Sequence, residues 1–262
     1  MNNRYYRFFR EDGKALILAF DHGIGGDIWI NPATVIKAAA AGGMDGILST
    51  YGVLKNFKKE IGKMGTMLRM EVYGSRLIAY DPLLERPMGT PYTIEDCLQL
   101  GVDGVMTMGI IGNEHDTANL NYIAGIVAAC NKYGIISGAE MLPNAFSSKL
   151  EDRSTKVMNI ACRVAAEIGV DFVKTVYVKP LEEFRKIVAN CYVPVLALGG
   201  APLNEDRIIL ENAHQALEAG CKGLVIGRNV WGHKNIEGMA AALNKIVHED
   251  ATVDEALRIL GN

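Results

Sequence analysis

Apolar positions in this chain fall in short runs, each followed by a glycine-bearing or polar stretch and then by a longer segment of helical spacing. Ala15–Asp21, Met67–Tyr73, Ile135–Met141 and Val193–Gly200 read as strands. Between them a weak repeat appears. Gly43-Met44-Asp45-Gly46-Ile47 is matched by Gly101-Val102-Asp103-Gly104-Val105, by Gly169-Val170-Asp171-Phe172-Val173 and by Gly220-Cys221-Lys222-Gly223-Leu224. Each copy follows a helix-like stretch and leads into an apolar run. Its first glycine fits the left-handed position after a helix, and its apolar run fits a buried parallel strand. The four copies therefore read as alternate strands of an eightfold β/α series. Helical patterns cover Asn31–Ala41, Thr93–Leu100, Asn119–Lys132, Arg153–Ile168, Asn204–Ala219 and Ile236–His248. Asn31-Pro32 and Asn204-Glu205 are expected helix starts. Gly74–Tyr92, with three prolines, reads as a long loop after a strand that could act as a lid.

The pattern predicts an α/β fold, a (β/α)8 TIM barrel, with residues 1–262 forming one domain and no linker dividing it. A doubly wound dinucleotide-binding sheet is the runner-up, but no G-x-G-x-x-G follows the first strand. With 262 residues, 49% of them apolar, a sizeable core is available. Lys plus Arg number 27 against 30 Asp plus Glu, which gives no polybasic footprint for nucleic acid or an anionic membrane. No apolar run reaches membrane-spanning length. The five cysteines are scattered without a CxxC pair, which fits buried thiols in a reducing cytoplasm. The five histidines are dispersed, so no metal site or other cofactor is expected. The methionines read as core filler.

In such barrels the working residues stand at the C-terminal ends of strands. Lys174 is the most informative. It lies inside the apolar strand Val170–Tyr177, where lysine is rarely found. In a barrel interior, desolvation would favour the neutral amine that Schiff-base formation requires. A lysine that snorkels from a strand end is the alternative. Asp21, ending the first strand before His22-Gly23, is placed either to move a proton or to hold loop amides. Glu140 in Gly138–Pro143 is either a dry interior carboxylate, raised in pKa and suited to acid/base work, or an outward one paired with a helix. Tyr177 is expected to pack at the rim with a wet hydroxyl. Gly199-Gly200 and Gly227-Arg228-Asn229 end the last two strands, and glycine turns with an arginine suit phosphate there.

Together these residues resemble class I (Schiff-base) aldolases of the family that includes archaeal-type fructose-bisphosphate aldolase, aminodideoxyheptulosonate synthase and the thiolase acting on phosphorylated autoinducer-2. The likeness runs from Ala19-Phe20-Asp21-His22-Gly23 through Val173-Lys174-Thr175 and Gly199-Gly200 to Gly227-Arg228-Asn229-Val230-Trp231. It implies that Lys174 forms the Schiff base, that Asp21 contacts substrate and assists proton transfer, and that the glycine turns with Arg228 hold a phosphate. It also implies a homo-oligomer. One position departs from the family. The aldolase and heptulosonate-synthase members carry an acid/base tyrosine before the strand-five proline. Here that residue is Leu142, and Asn144-Ala145 replaces Arg-Gly after the proline. The thiolase branch also lacks the tyrosine. Glu140, with Asp21, is the expected substitute. The expectation is a cytoplasmic, metal-independent lyase for a phosphorylated ketose, fructose 1,6-bisphosphate first. Heptulosonate synthesis, acetyl transfer from a phospho-dione, and a non-catalytic phosphosugar-binding barrel are the alternatives.

Overall fold

The computed structural model describes residues 3–24, 29–72, 89–144 and 150–261. Eight parallel strands close into a barrel in chain order: β1 Ala15–Phe20, β2 Gly46–Ser49, β3 Gly65–Arg69, β4 Gly104–Gly109, β5 Ile136–Met141, β6 Phe172–Val176, β7 Val195–Leu198 and β8 Gly223–Ile226. β8 returns to β1, with Ile17 opposite Val225. The helices are α1 Pro32–Ala41, α2 Tyr51–Asn56, α3 Lys58–Ile61, α4 Ile94–Leu100, α5 Asp116–Tyr133, α6 Thr155–Ile168, α7 Leu181–Asn190, α8 Asp206–Glu218, α9 Arg228–Trp231, α10 Ile236–Glu249 and α11 Val253–Ile259. No helix among the described residues is long and apolar enough to cross a membrane.

The repeat has a structural purpose in each part. Its leading glycines, Gly43, Gly101, Gly169 and Gly220, all take the left-handed backbone that ends a helix, with φ of 85°, 80°, 100° and 104°. Its aspartates join neighbouring strands. Asp45 accepts the Leu16 amide at 2.7 Å, Asp103 the Thr66 amide at 2.9 Å and Asp171 the Ser137 amide at 2.7 Å. Each carboxylate at the start of an even strand thus satisfies a donor at the start of the strand before it. The fourth copy has Lys222 instead, and there the backbone makes the join to the strand before, from Lys222 N–H to the Val195 carbonyl at 2.8 Å. The second glycine makes room: a Cβ on Gly46 would come within 2.8 Å of the Phe8 ring. Phe8 belongs to an N-terminal segment that, with Tyr5 and Phe9, fills the floor of the barrel against Ile17, Leu48, Met67, Met106, Ile136, Phe172, Leu196 and Val225. A second, larger core lies between the outer strand faces and the helices.

Several boundaries differ from expectation for local reasons. β7 begins at Val195 because Pro194 has no N–H to give a ladder, and it ends before Gly200, whose φ is 67°. β3 ends at Arg69, and Tyr73 falls outside the described residues. Asn31 caps α1 by accepting the Ala33 amide, as expected of Asn-Pro. α8 begins at Asp206 with Glu205 at the N-cap position, within the expected Asn204-Glu205 start, though no side chain makes a cap. α2, α3, α7, α9 and α11 lie outside the helical patterns of the sequence. Three of them are no more than six residues long, and α7 keeps only Phe184 and Ile187 buried. Of the possible lid Gly74–Tyr92, residues up to 88 lie outside the described set. Its end is anchored where Tyr92 stacks on Tyr51 with ring centroids 5.2 Å apart. All five cysteines are free and buried.

Candidate active site

Strand alternation sends Asp21, Arg69, Glu71, Glu140 and Lys174 into the barrel interior above the apolar floor. Asp21 follows β1, Arg69 ends β3, Glu140 stands in β5 and Lys174 in β6. The β5–β6 register makes Glu140 and Lys174 direct partners. Both side chains are almost fully buried, and Lys174 Nζ lies 2.9 Å from Glu140 Oε2. Arg69 is the hub of the set. Its Nε donates to Asp21 Oδ2 at 2.8 Å, and its Nη2 donates to the same Glu140 Oε2 that faces Lys174. Glu140 Oε1 has no hydrogen-bond partner among the described residues. Beyond Arg69, Glu71 Oε2 lies 3.7 Å from Nη1. Its Oε1 accepts the Met108 amide at 2.7 Å and the Tyr122 hydroxyl at 2.9 Å.

The electrostatics depart from the sequence expectation in one respect. Lys174 is dry, but it is not alone. Burial by itself would raise the Glu140 carboxyl, as anticipated. Lys174 and then Arg69 outweigh burial, and Glu140 sits below the usual glutamate range. The expected high-pKa acid is therefore a stabilised carboxylate. Asp21 follows the same logic more strongly. Burial pushes it up, yet Arg69, Lys174 and His22 bring it down to about 2. Glu71 goes the other way, because burial outweighs Arg69 and its two hydrogen bonds and leaves it raised. His22, with Nδ1 3.5 Å from Asp21 Oδ1, is lowered chiefly by burial.

The glycine turns expected to bind phosphate stand side by side at the ends of β7 and β8. A Cβ on Gly199 would collide with Ile226, and one on Gly227 would collide with the Ala19 carbonyl, so these backbones approach their neighbours as only glycine allows. Asn229 ties the two turns together. Its Nδ2 donates to the Gly199 carbonyl at 2.7 Å and to the Ala201 carbonyl at 3.1 Å, and its Oδ1 accepts the Leu203 amide at 2.8 Å. Arg228 is half-buried at the start of α9. It lines a groove of about 1060 Å3 with Trp231, His233 and Arg207, on the helix side of the turns. Tyr177, expected at the rim with a wet hydroxyl, instead packs against Phe184 and hydrogen-bonds Gln215 at 3.0 Å.

Three contributors lie outside the sequence reading, Arg69, Glu71 and Tyr122, and Asn229 enters it only within the Gly-Arg-Asn turn. The first two carried a signal. Opposite charges two residues apart share one face of a strand, and their neighbours Met67, Leu68 and Met70 are fully buried. Tyr122 lies on α5, and nothing in its helical pattern marks it. Leu142, at the position where the family tyrosine stands, is 2% exposed and packs with Met108 and Ile110, so no hydroxyl enters from there.

Comparison with known proteins agrees with the barrel fold and shows the family. The profile of the DeoC/LacD family aldolases matches residues 15–233. An uncharacterized aldolase of Saccharolobus solfataricus is 30% identical over 95% of both chains. The 3-hydroxy-5-phosphonooxypentane-2,4-dione thiolase of Klebsiella pneumoniae is 30% identical over 98% of this chain and 84% of its own. Among solved structures, a Schiff base-forming fructose-1,6-bisphosphate aldolase superposes with a TM-score of 0.83 at 25% identity, covering 94% of this chain and 98% of the other.

Proposed function

The chain belongs to the DeoC/LacD aldolase family, and on that footing we propose that it is a Schiff-base lyase making or breaking a C–C bond in a phosphorylated ketose, of fructose 1,6-bisphosphate type. The observation that carries this reading is the buried contact between Lys174 Nζ and Glu140 Oε2 in a site ringed by charge. Glu140 is the nearest acceptor for an ammonium proton on Lys174. Once that proton moves, the neutral amine adds to the substrate ketone carbon. The resulting carbinolamine loses its hydroxyl as water, with Glu140 returning the proton, and an iminium remains. Asp21 then takes the proton of the hydroxyl β to the iminium carbon. The C–C bond breaks, the aldehyde leaves, and the bonding pair passes to nitrogen as an enamine. Protonation at carbon and addition of water release the ketone and restore the amine. In this reading Glu140 and Asp21 divide the proton transfers that a tyrosine at position 142 would otherwise share. Gly199, Gly200, Gly227 and Arg228 hold the phosphate.

Acetyl transfer from a phospho-dione to a thiol is the second reading. It is favoured by Leu142, which leaves the site without the family tyrosine, and by the thiolase relative. The test is a substrate panel of dihydroxyacetone phosphate, fructose 1,6-bisphosphate and the phospho-dione. Borohydride is added, and the adduct is located by mass spectrometry. A reduced adduct on Lys174 that disappears in Lys174→Met supports the Schiff base, and the panel selects the substrate. No adduct with any of the ketones would leave a non-catalytic phosphosugar-binding barrel.

A further inference from the structure

We propose that Arg69 is a positioning residue for the chemistry at Lys174: one buried guanidinium fixes Asp21 and Glu140 as a matched pair of carboxylates and occupies Glu140 Oε2, leaving Oε1 to exchange protons with substrate. The inference rests on the Schiff-base reading and extends it to a residue outside the family motifs that suggested it.

Three observations carry it. Arg69 is 1% exposed at the end of β3, with apolar Met67 below it and Glu71 above it on the same interior face, and a cation is rarely buried so completely. Its Nε and Nη2 point to two different carboxylates, on β1 and β5, which span the interior. A planar fork can serve both directions at once, whereas an ammonium is a single point. Arginine also keeps its proton at any physiological pH, so it neither competes with Lys174 for the ketone nor drains protons from the carboxylates. Finally, the fork is braced from the far side. Glu71 lies 3.7 Å from Nη1, and it is itself held by the Met108 amide and the Tyr122 hydroxyl. The chain Tyr122–Glu71–Arg69–Glu140–Lys174 thus connects α5 to the nucleophile.

Among the described residues, the charged or titratable groups that bear on the carboxylate pair are His22 beside Asp21, Arg69 between the two, Lys174 beside Glu140, Glu71 and Tyr122 behind, and Arg228, which acts on His22. Without the guanidinium, Asp21 and Glu140 lose a cation and protonate at higher pH. The acid limb of adduct formation must then move upward. A purely structural role for Arg69 would lower stability and leave the limb in place.

The experiment follows the rate of cyanoborohydride trapping of dihydroxyacetone phosphate on Lys174 between pH 4 and 8, in wild type, Arg69→Met, Arg69→Gln and Arg69→Lys. The expected result is trapping at least about tenfold slower in the uncharged variants, with the acid limb raised by about one pH unit or more, and partial recovery in Arg69→Lys. Arg69→Gln keeps polar contact inside the barrel and decides the matter if Arg69→Met does not fold. Wild-type trapping with an unmoved limb in the variants overturns the role of Arg69 alone. Absence of a wild-type adduct overturns the Schiff-base reading itself and this inference with it.

Discussion

Lys174 Nζ and Glu140 Oε2 lie 2.9 Å apart because β5 and β6 place the two residues opposite each other in register. The amine and its nearest proton acceptor are therefore fixed by backbone pairing, and not by a loop that must close. Replacing Glu140 with Gln keeps the volume and removes the base. Adduct formation with a phosphorylated ketone should slow by roughly 10²- to 10⁴-fold, the usual worth of a positioned base. Single-turnover trapping measures it, and near-wild-type rates would remove Glu140 from the chemistry.

Arg228 should matter for binding more than for chemistry. A charge-assisted contact to phosphate is worth about 1.5–3 kcal/mol, so Arg228→Ala should raise KM for a phosphorylated ketone about 10- to 100-fold with little change in kcat. Trapping of unphosphorylated dihydroxyacetone should be unaffected. Equal losses with both ketones would show that Arg228 does not read the phosphate.

Asp171 belongs to the scaffold. It accepts both the Ser137 amide at 2.7 Å and the Ser137 hydroxyl at 3.0 Å. Asp171→Ala strands those donors and should cost about 1–3 kcal/mol in urea unfolding while KM stays unchanged. A fall in KM or kcat without loss of stability would contradict this assignment.

The depressed Asp21 carboxyl makes the fold acid-sensitive in a defined window. Its folded value of about 2 lies below the usual 3.8. The unfolded chain therefore binds the proton more readily, and the stability Asp21 contributes is complete above 3.8 and lost as pH falls toward 2. Glu140 adds to this trend with the same sign. Glu71 is raised, so its contribution is greatest in acid and lost as pH rises through its folded value. Urea unfolding between pH 2 and 5 should show a shallower decline in Asp21→Asn than in wild type, and identical slopes would contradict the ion pairing.

The strands are legible because buried parallel strands are short apolar runs, and the four glycine-led copies mark every second one. Lys174, Asp21 and the glycine turns stood out for the same reason, as polar or glycine residues at the ends of such runs. Arg69 and Glu71 were harder. Arg69 and Glu71 interrupt the apolar run of the strand that holds them, and their pairing depends on Asp21, Glu140 and Tyr122, which are distant in sequence. The sign of the Glu140 shift is not legible in one strand, because burial is visible there whereas two cations supplied by other strands are not. Asn229 read only as part of a phosphate motif. Its amide in fact stitches the β7 turn to the β8 turn.

The aromatic plug formed by Tyr5, Phe8 and Phe9 makes the barrel a blind tube. On the Schiff-base reading, reactant, departing aldehyde and hydrolytic water then pass by the other end, where Lys174 and Glu140 stand. On the Schiff-base reading, an enamine on Lys174 waits for whatever next comes through that opening. Water ends the cycle, and a second carbonyl is captured into a new bond. The balance between cleavage and transfer then becomes a matter of traffic at the entrance, with the opposite end stoppered by aromatic rings.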